Sequence, residues 1–138
     1  IHRTYLAVDG QKAALPSPKK IIGSLPPGAA ARLTPASGCM GIAEGIETAL
    51  AASMLFSLPV WAAISAIGLE RWAPPPGTEH VTVFGDNDTS HTGQAAAFAL
   101  AKRMHNAGIT AEVRIPDLPG TDWADPQLDF STTKEQQQ

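Results

Sequence analysis

Residues 39–57, CMGIAEGIETALAASMLFS, decide the fold. CMGIAE is a short apolar run suited to a buried strand, and Glu44 closes it. Gly45 is expected to let the backbone turn sharply without a side chain crowding the space beside Glu44. The segment that follows places Ile46, Ala49, Leu50, Ser53 and Met54 at helical spacing, which predicts an amphipathic helix with those residues inward. Leu58-Pro59 ends that helix, because proline restricts the residue before it and lacks the N–H the ladder needs.

Downstream, VWAAIS (60–65) reads as a second strand and AIGLERW (66–72) as a short helix stopped by PPPGT. HVTVFGD (80–86) is the clearest strand, with β-branched residues through its middle. After the DND turn, TGQAAAFALAKRMHNAG (92–108) is rich in helix formers and Gly108 stands where a C-cap belongs. ITAEVRIP (109–116) is a fourth strand. Strands alternating with helices over short connections predict an α/β fold, a mostly parallel four-stranded sheet flanked by helices.

Upstream, residues 3–10 alternate moderately and end at Asp9-Gly10, a strong turn pair, with QKAAL as the expected return strand. PSPKKIIGSLPPGAAARLTP (16–35) holds enough proline and glycine to be mostly extended or looped, with a short strand around 30–33. The expected organisation is a short β-rich N-terminal lead-in over 1–38 packed on the core, a catalytic core over 39–126 and a polar C-terminal tail over 127–138. The chain starts at Ile1, and IHRTYLAVDG reads as interior sequence, so a piece of a longer polypeptide is expected.

Composition bounds the function. At 138 residues the chain can bury a core without staples, and its single cysteine, Cys39, rules out an internal disulfide. Cys39 itself is expected to be a small buried apolar group. The apolar stretches are broken well before the roughly 18 residues of a membrane span, and neither end has a secretory pattern, so a cytoplasmic protein with no membrane partner is expected. A net charge of −3 argues against nucleic-acid binding by electrostatics alone, though not against an enzyme that meets phosphates through bound cations. Lys102 and Arg103 are read as the solvated face of their helix, and Lys19 and Lys20 as solvated charges, with approach to a backbone phosphate as their alternative.

In such a sheet, function gathers outside the carboxyl ends of the strands. Glu44 closes the first core strand, and Asp86 and Asp88 close the third. Residues two apart on extended backbone point the same way, so both aspartates face one volume. Converging carboxylates repel each other and must take up protons or a cation. An oxygen-only donor set points to magnesium, with manganese as a substitute, rather than zinc.

Other residues are secondary candidates, each with a structural alternative. Glu47 is either a supporting site residue or first-turn helix charge, and Thr48 is a packing or backbone-bonding residue. Asp122 and Asp125 follow the fourth strand and either reach the same mouth or cap a short terminal helix beginning near Trp123. Ser65 ends the second strand, where it could bond a phosphate oxygen, and His91 stands just past the acidic turn, where it could touch substrate.

GIAEGIETALAA, PVWAAIS, VTVFGDND and GTDWAD together resemble the Toprim domain of bacterial, plasmid and phage DNA primases, a domain shared with topoisomerases and certain nucleases. The chain is most similar to the mobile-element primase and primase-helicase form, in which a segment like the one from HRTYL to KKIIGSLPPGAAARL precedes the core. The resemblance implies that Glu44 acts as general acid or base or helps bind metal, and that Asp86 and Asp88 coordinate magnesium. It makes Asp122 the candidate for a further acidic ligand, with Asp125 behind it. Many members carry aspartate four residues after the motif glutamate, whereas this chain has Thr48, with Glu47 nearby as a substitute. The function implied is nucleotidyl transfer making RNA primers in DNA replication. Nucleic acid and nucleoside triphosphates are then partners in the parent chain, with a helicase domain or replication proteins beside it. A metal-dependent nuclease and a non-catalytic interaction module are the alternatives.

Overall fold

Alternate residues of the central strands feed opposite layers of the core. Met40, Ile42, Val81 and Val83 pack with Ala96, Ala97, Leu100 and Met104, whereas Ala43 and Phe84 pack with Ala49, Ala52 and Val60. Strands buried on both faces are what a parallel sheet covered by helices requires. The computed structural model describes residues 1–126 and Leu128. Its elements are, in order, β1 (His2–Thr4), β2 (Lys19–Ile21), β3 (Cys39–Ala43), α1 (Ile46–Phe56), β4 (Val60–Ala62), α2 (Ala66–Arg71), β5 (His80–Phe84), α3 (Thr92–Asn106) and β6 (Thr110–Arg114). Strands β3 to β6 form one sheet in the order β4-β3-β5-β6 with every neighbouring pair parallel. Helix α1 covers one face, and α2 and α3 cover the other. The expected α/β architecture is present.

The polar tail expected over 127–138 lies, apart from Leu128, outside the described residues. Just before it, Trp123 is only 9% exposed and closes the α1 layer. Its ring meets Phe56 edge-on at 5.2 Å and Phe84 at 5.8 Å. Aromatic pairs of this kind contribute about 0.5–1.5 kcal/mol each beyond burial.

In the lead-in, β1 and β2 pair antiparallel, with His2 opposite Ile21 and Thr4 opposite Lys19. The turn at Asp9-Gly10 forms as expected, with Gly10 at φ 81° and Gln11 N–H donating to Asp9 Oδ1. The return strand does not fall on QKAAL. That segment makes only the isolated bridge Leu6–Lys12, and the paired strand is Lys19–Ile21. The prolines at 16 and 18 frame this delay, since neither can donate to a ladder. Near 30–33 a single bridge forms, Ala31 to Ala62, and Trp61 Nε1 donates to Thr34 O at 2.8 Å. These bonds join the lead-in to the open edge of β4.

Three further expectations are corrected. Helix α1 buries Thr48, Ala49 and Ala52, while Leu50 is 49% and Met54 84% exposed. Small residues win the inward face because Phe84 and Val60 already occupy the layer it packs on. Cys39 is exposed at the start of β3. Arg103 is not a free solvated charge, because its guanidinium donates to the carbonyls of Glu70 and Trp72 where α2 ends.

The orientation of α1 makes a direct prediction for stability. Leu50→Gln and Met54→Gln are expected to change unfolding free energy by no more than about 0.5 kcal/mol, whereas Ala52→Leu should destabilise by about 1–3 kcal/mol. Urea unfolding of the three variants checks it, and the reverse ranking would place the helix face wrongly.

Candidate metal centre

The chain leaves β3 toward β4 on one side and returns across β3 to form β5 on the other. Between β3 and β5 the winding therefore reverses, which opens a crevice at their carboxyl ends. Ala43 is opposite Phe84, so Glu44 and Asp86 emerge within two residues of a shared register on adjacent strands.

Asp86 is the strained member. Burial, then the charges of Asp122, Glu44 and Asp88, push its pKa from 3.8 up to about 7, against a smaller opposing effect of Lys19. Its Oδ1 is buried without a hydrogen-bond partner. Glu44 is raised as well, by burial first and by Asp88, although Lys19 and the backbone N–H of Ala66 oppose this.

Asp88 behaves oppositely. Ser90 Oγ donates to its Oδ1 at 2.6 Å, Thr92 N–H donates to the same oxygen at 3.1 Å, and Gly93 N–H donates to Oδ2 at 2.7 Å. The Ser90 bond, followed by that from Gly93, holds the carboxyl below its usual range. Asp88 thus caps the start of α3 while still acting electrostatically on Asp86 and Glu44. Gly93 is what permits this approach, since a Cβ there would stand 2.9 Å from Asp88 Oδ2 and 3.0 Å from Asp86 O.

Asp122 arrives from the loop after β6. No helix begins at Trp123; instead Asp122 Oδ1 accepts from Ala124 N–H at 2.7 Å, an Asx turn. Its position opposite Asp86 depends on Asn87, which the sequence reading passed over. Asn87 Nδ2 donates to Pro116 O at 2.7 Å, its backbone N–H donates to Thr121 O, and its carbonyl accepts from Gly120 N–H. The middle residue of the Asp-x-Asp run points away from the two aspartates, and here it ties the β6 loop beside them.

Glu47 pairs with Lys19 at 3.2 Å. Burial pushes the Glu47 carboxyl up, but its own backbone N–H and Lys19 together outweigh that and hold it below its usual range. Lys19, read from sequence as solvated, is a cation at the mouth. Gly45 has φ −92° and ψ 155°, a conformation open to any residue, so no special turn requires it. A Cβ there would instead lie 3.3 Å from Thr48 Oγ1 and 3.8 Å from Lys19 Nζ. Thr48 is buried and packs in α1. Ser65 caps α2, its Oγ accepting from Gly68 N–H at 3.0 Å. His91 is exposed, and its backbone engages Asp88 O and Ala95 N–H. Asp125 lines a cleft with Asp122 and Glu47.

Among the described residues no three His, Cys, Asp or Glu side chains already form a set that could hold a metal ion. The donors nevertheless suit a hard cation. They are all carboxylate oxygens, one is buried and unpartnered, and magnesium keeps several waters rather than needing an all-protein cage. Fold and donor set define a class, an α/β domain whose strand-end carboxylates suit a hard divalent cation. A family model described as Toprim domain matches residues 39–129, more than half of the sequence, and the chain belongs to that family. Toprim domains bind divalent metals, typically magnesium, and serve metal-dependent processing of nucleic acids. No curated protein and no solved structure matches the chain. No helix among the described residues is long and apolar enough to cross a membrane.

Two predictions follow from the electrostatics and the loop ties. The folded pKa of Asp86 lies above its unfolded value, so the unfolded chain releases the proton first as pH rises. Stability therefore falls between about pH 4 and pH 7, and the whole penalty stands above 7. Asp86→Asn is accordingly expected to stabilise the cation-free chain by a few kcal/mol at pH 8 and little at pH 4. Equal effects at both pH values in urea unfolding would contradict it. Asn87→Ala should cost about 1–3 kcal/mol and also weaken Mn²⁺ binding, although Asn87 supplies no ligand. Calorimetric affinity unchanged from wild type would reduce Asn87 to a purely structural role.

Proposed function

We propose that this chain is the Toprim portion of a DNA primase or primase-helicase, carrying magnesium-dependent nucleotidyl transfer in RNA-primer synthesis. The observation that carries the reading is the Asp86 carboxylate, whose Oδ1 is buried without a partner and which feels the charges of Asp122, Glu44 and Asp88 at the switch point of the sheet. Asp86 and Asp122, with Asp88 contributing charge from the turn that precedes α3, would hold magnesium, and manganese would substitute. When bound, the ion supplies positive charge that offsets the charge developing on transferring phosphates.

The protein's own groups then divide the remaining work. Glu44, half-buried and with its carboxyl pushed above the usual range by burial, is the group placed to accept the proton of an attacking 3′-hydroxyl. That oxygen bonds to the α-phosphorus of the incoming nucleotide as the bond to pyrophosphate breaks. Asn87 and Trp123 keep Asp122 in place. A topoisomerase-type covalent step would need its nucleophile from another chain or domain. The only tyrosine, Tyr5, follows β1 in the lead-in, where Lys20 lies over its ring at 5.9 Å. Nucleic acid and nucleoside triphosphates are the partners this reading requires, and a helicase domain or replication proteins are the expected neighbours in the parent, in a cytoplasmic setting.

Incubation with a primed or single-stranded template, nucleoside triphosphates and magnesium tests the proposal. Primer extension is expected, with Glu44→Gln lowering it about 10²–10⁴-fold, the range for a general base. Shortening of the template would favour the nuclease. No reaction, together with no Mn²⁺ binding by calorimetry, would favour a non-catalytic interaction module.

A further inference from the structure

The lead-in brings two ammonium groups to the acidic mouth. Lys19, on β2, lies 3.2 Å from Glu47 Oε2, and its charge also acts on Glu44 and Asp86. Lys12, just past the Asp9-Gly10 turn, acts on Glu47 as well. Beside this pair runs a cleft of about 460 Å³, walled by Gln11 and Lys12 on one side and by Glu47, Asp122 and Asp125 on the other. Such a volume lies in the range of small-ligand sites.

The pairing of Lys19 with Glu47 is open to water, with side-chain exposures of 38% and 36%. Ion pairs this exposed are weak, and a ligand carrying several negative charges displaces the carboxylate readily. A site that sets fixed carboxylates on its inner side and ammonium groups on its outer side fits a polyphosphate shared between a hard cation and lysine. A simple carboxylate ligand would leave the inner acidic groups without a bridging partner.

We propose that this cleft receives the polyphosphate of a nucleotide, with Lys19 and Lys12 as its phosphate-contacting residues and Glu47 as the group that holds Lys19 until the ligand arrives. This rests on the cation site proposed above, because the inner end of the polyphosphate meets the carboxylates through the cation. The lead-in is then part of the substrate site, and Glu47 is a positioning residue for Lys19.

Calorimetric titration of the 138-residue chain, first with Mn²⁺ and then with tripolyphosphate in saturating Mn²⁺, tests the inference. Lys19→Ala is expected to weaken tripolyphosphate about ten-fold or more, the loss of one charge-assisted hydrogen bond. The same change should leave Mn²⁺ affinity unchanged or tighter, because a competing cation has gone. Lys12→Ala, in an exposed turn where folding is not at risk, should weaken tripolyphosphate without affecting Mn²⁺, and Lys19→Arg should restore part of the lost affinity. A wild-type chain that binds Mn²⁺ but takes up no tripolyphosphate overturns the inference and leaves the cation site standing. So does tripolyphosphate affinity that survives both alanine substitutions, which would make Lys19 a counter-ion of Glu47 only. A wild-type chain that binds no Mn²⁺ overturns the proposed function and this inference with it.

Discussion

Because β3 and β5 pair in parallel with Ala43 opposite Phe84, Glu44 and Asp86 leave neighbouring strand ends side by side, and every other feature of the mouth responds to that placement. Two carboxylates at adjacent strand ends are repulsive, and burial makes the charged forms dearer still. The protein does not relieve this with an internal hydrogen bond to Asp86 Oδ1. Lys19 opposes the shift of Asp86 only in part. What remains is a group held between protonation and cation binding near neutral pH, a use of strain that stability alone would remove.

The surrounding residues divide between making that strain and containing it. Asp88 is contained, because three donors from Ser90, Thr92 and Gly93 satisfy its charge at the start of α3. Asp122 adds to the strain, and it is brought into place by tertiary ties: Asn87 to the 116–121 loop and Trp123 into the aromatic cluster with Phe56 and Phe84. A loop alone would not hold a carboxylate against a repelling neighbour. Anchoring its next residue in the core does.

What was legible in the sequence follows from locality. Strand ends, helix stops and the same-side spacing of Asp86 and Asp88 depend on residues near one another in the chain, and the α/β order and the placement of Glu44 could be read from them. The inward face of α1 could not, because Leu50 and Met54 are as apolar as any core residue, and only the bulk of Phe84 and Val60 across the layer makes Ala49 and Ala52 the better fit. Cys39 was misjudged because it stands at the first residue of β3, ahead of the stretch that β4 pairs with, and is exposed there. Asn87 was overlooked because its partners lie about thirty residues away. Lys19 looked like one more solvated lysine, since nothing local to KKII announces Glu47 twenty-eight positions on.

The double duty of Asp88 bears on how the site can be dissected. Removing its carboxylate would strip α3 of its capping bonds as well as a charge from the mouth, so stability and cation binding would fall together. Asp86 is different. Its Oδ1 makes no bond that the fold needs, and its neighbours would gain from losing its charge. A side chain whose removal should strengthen the fold while weakening the site has no structural reason to be acidic. Asp86 is therefore the position where the chemistry of this domain separates most cleanly from its architecture.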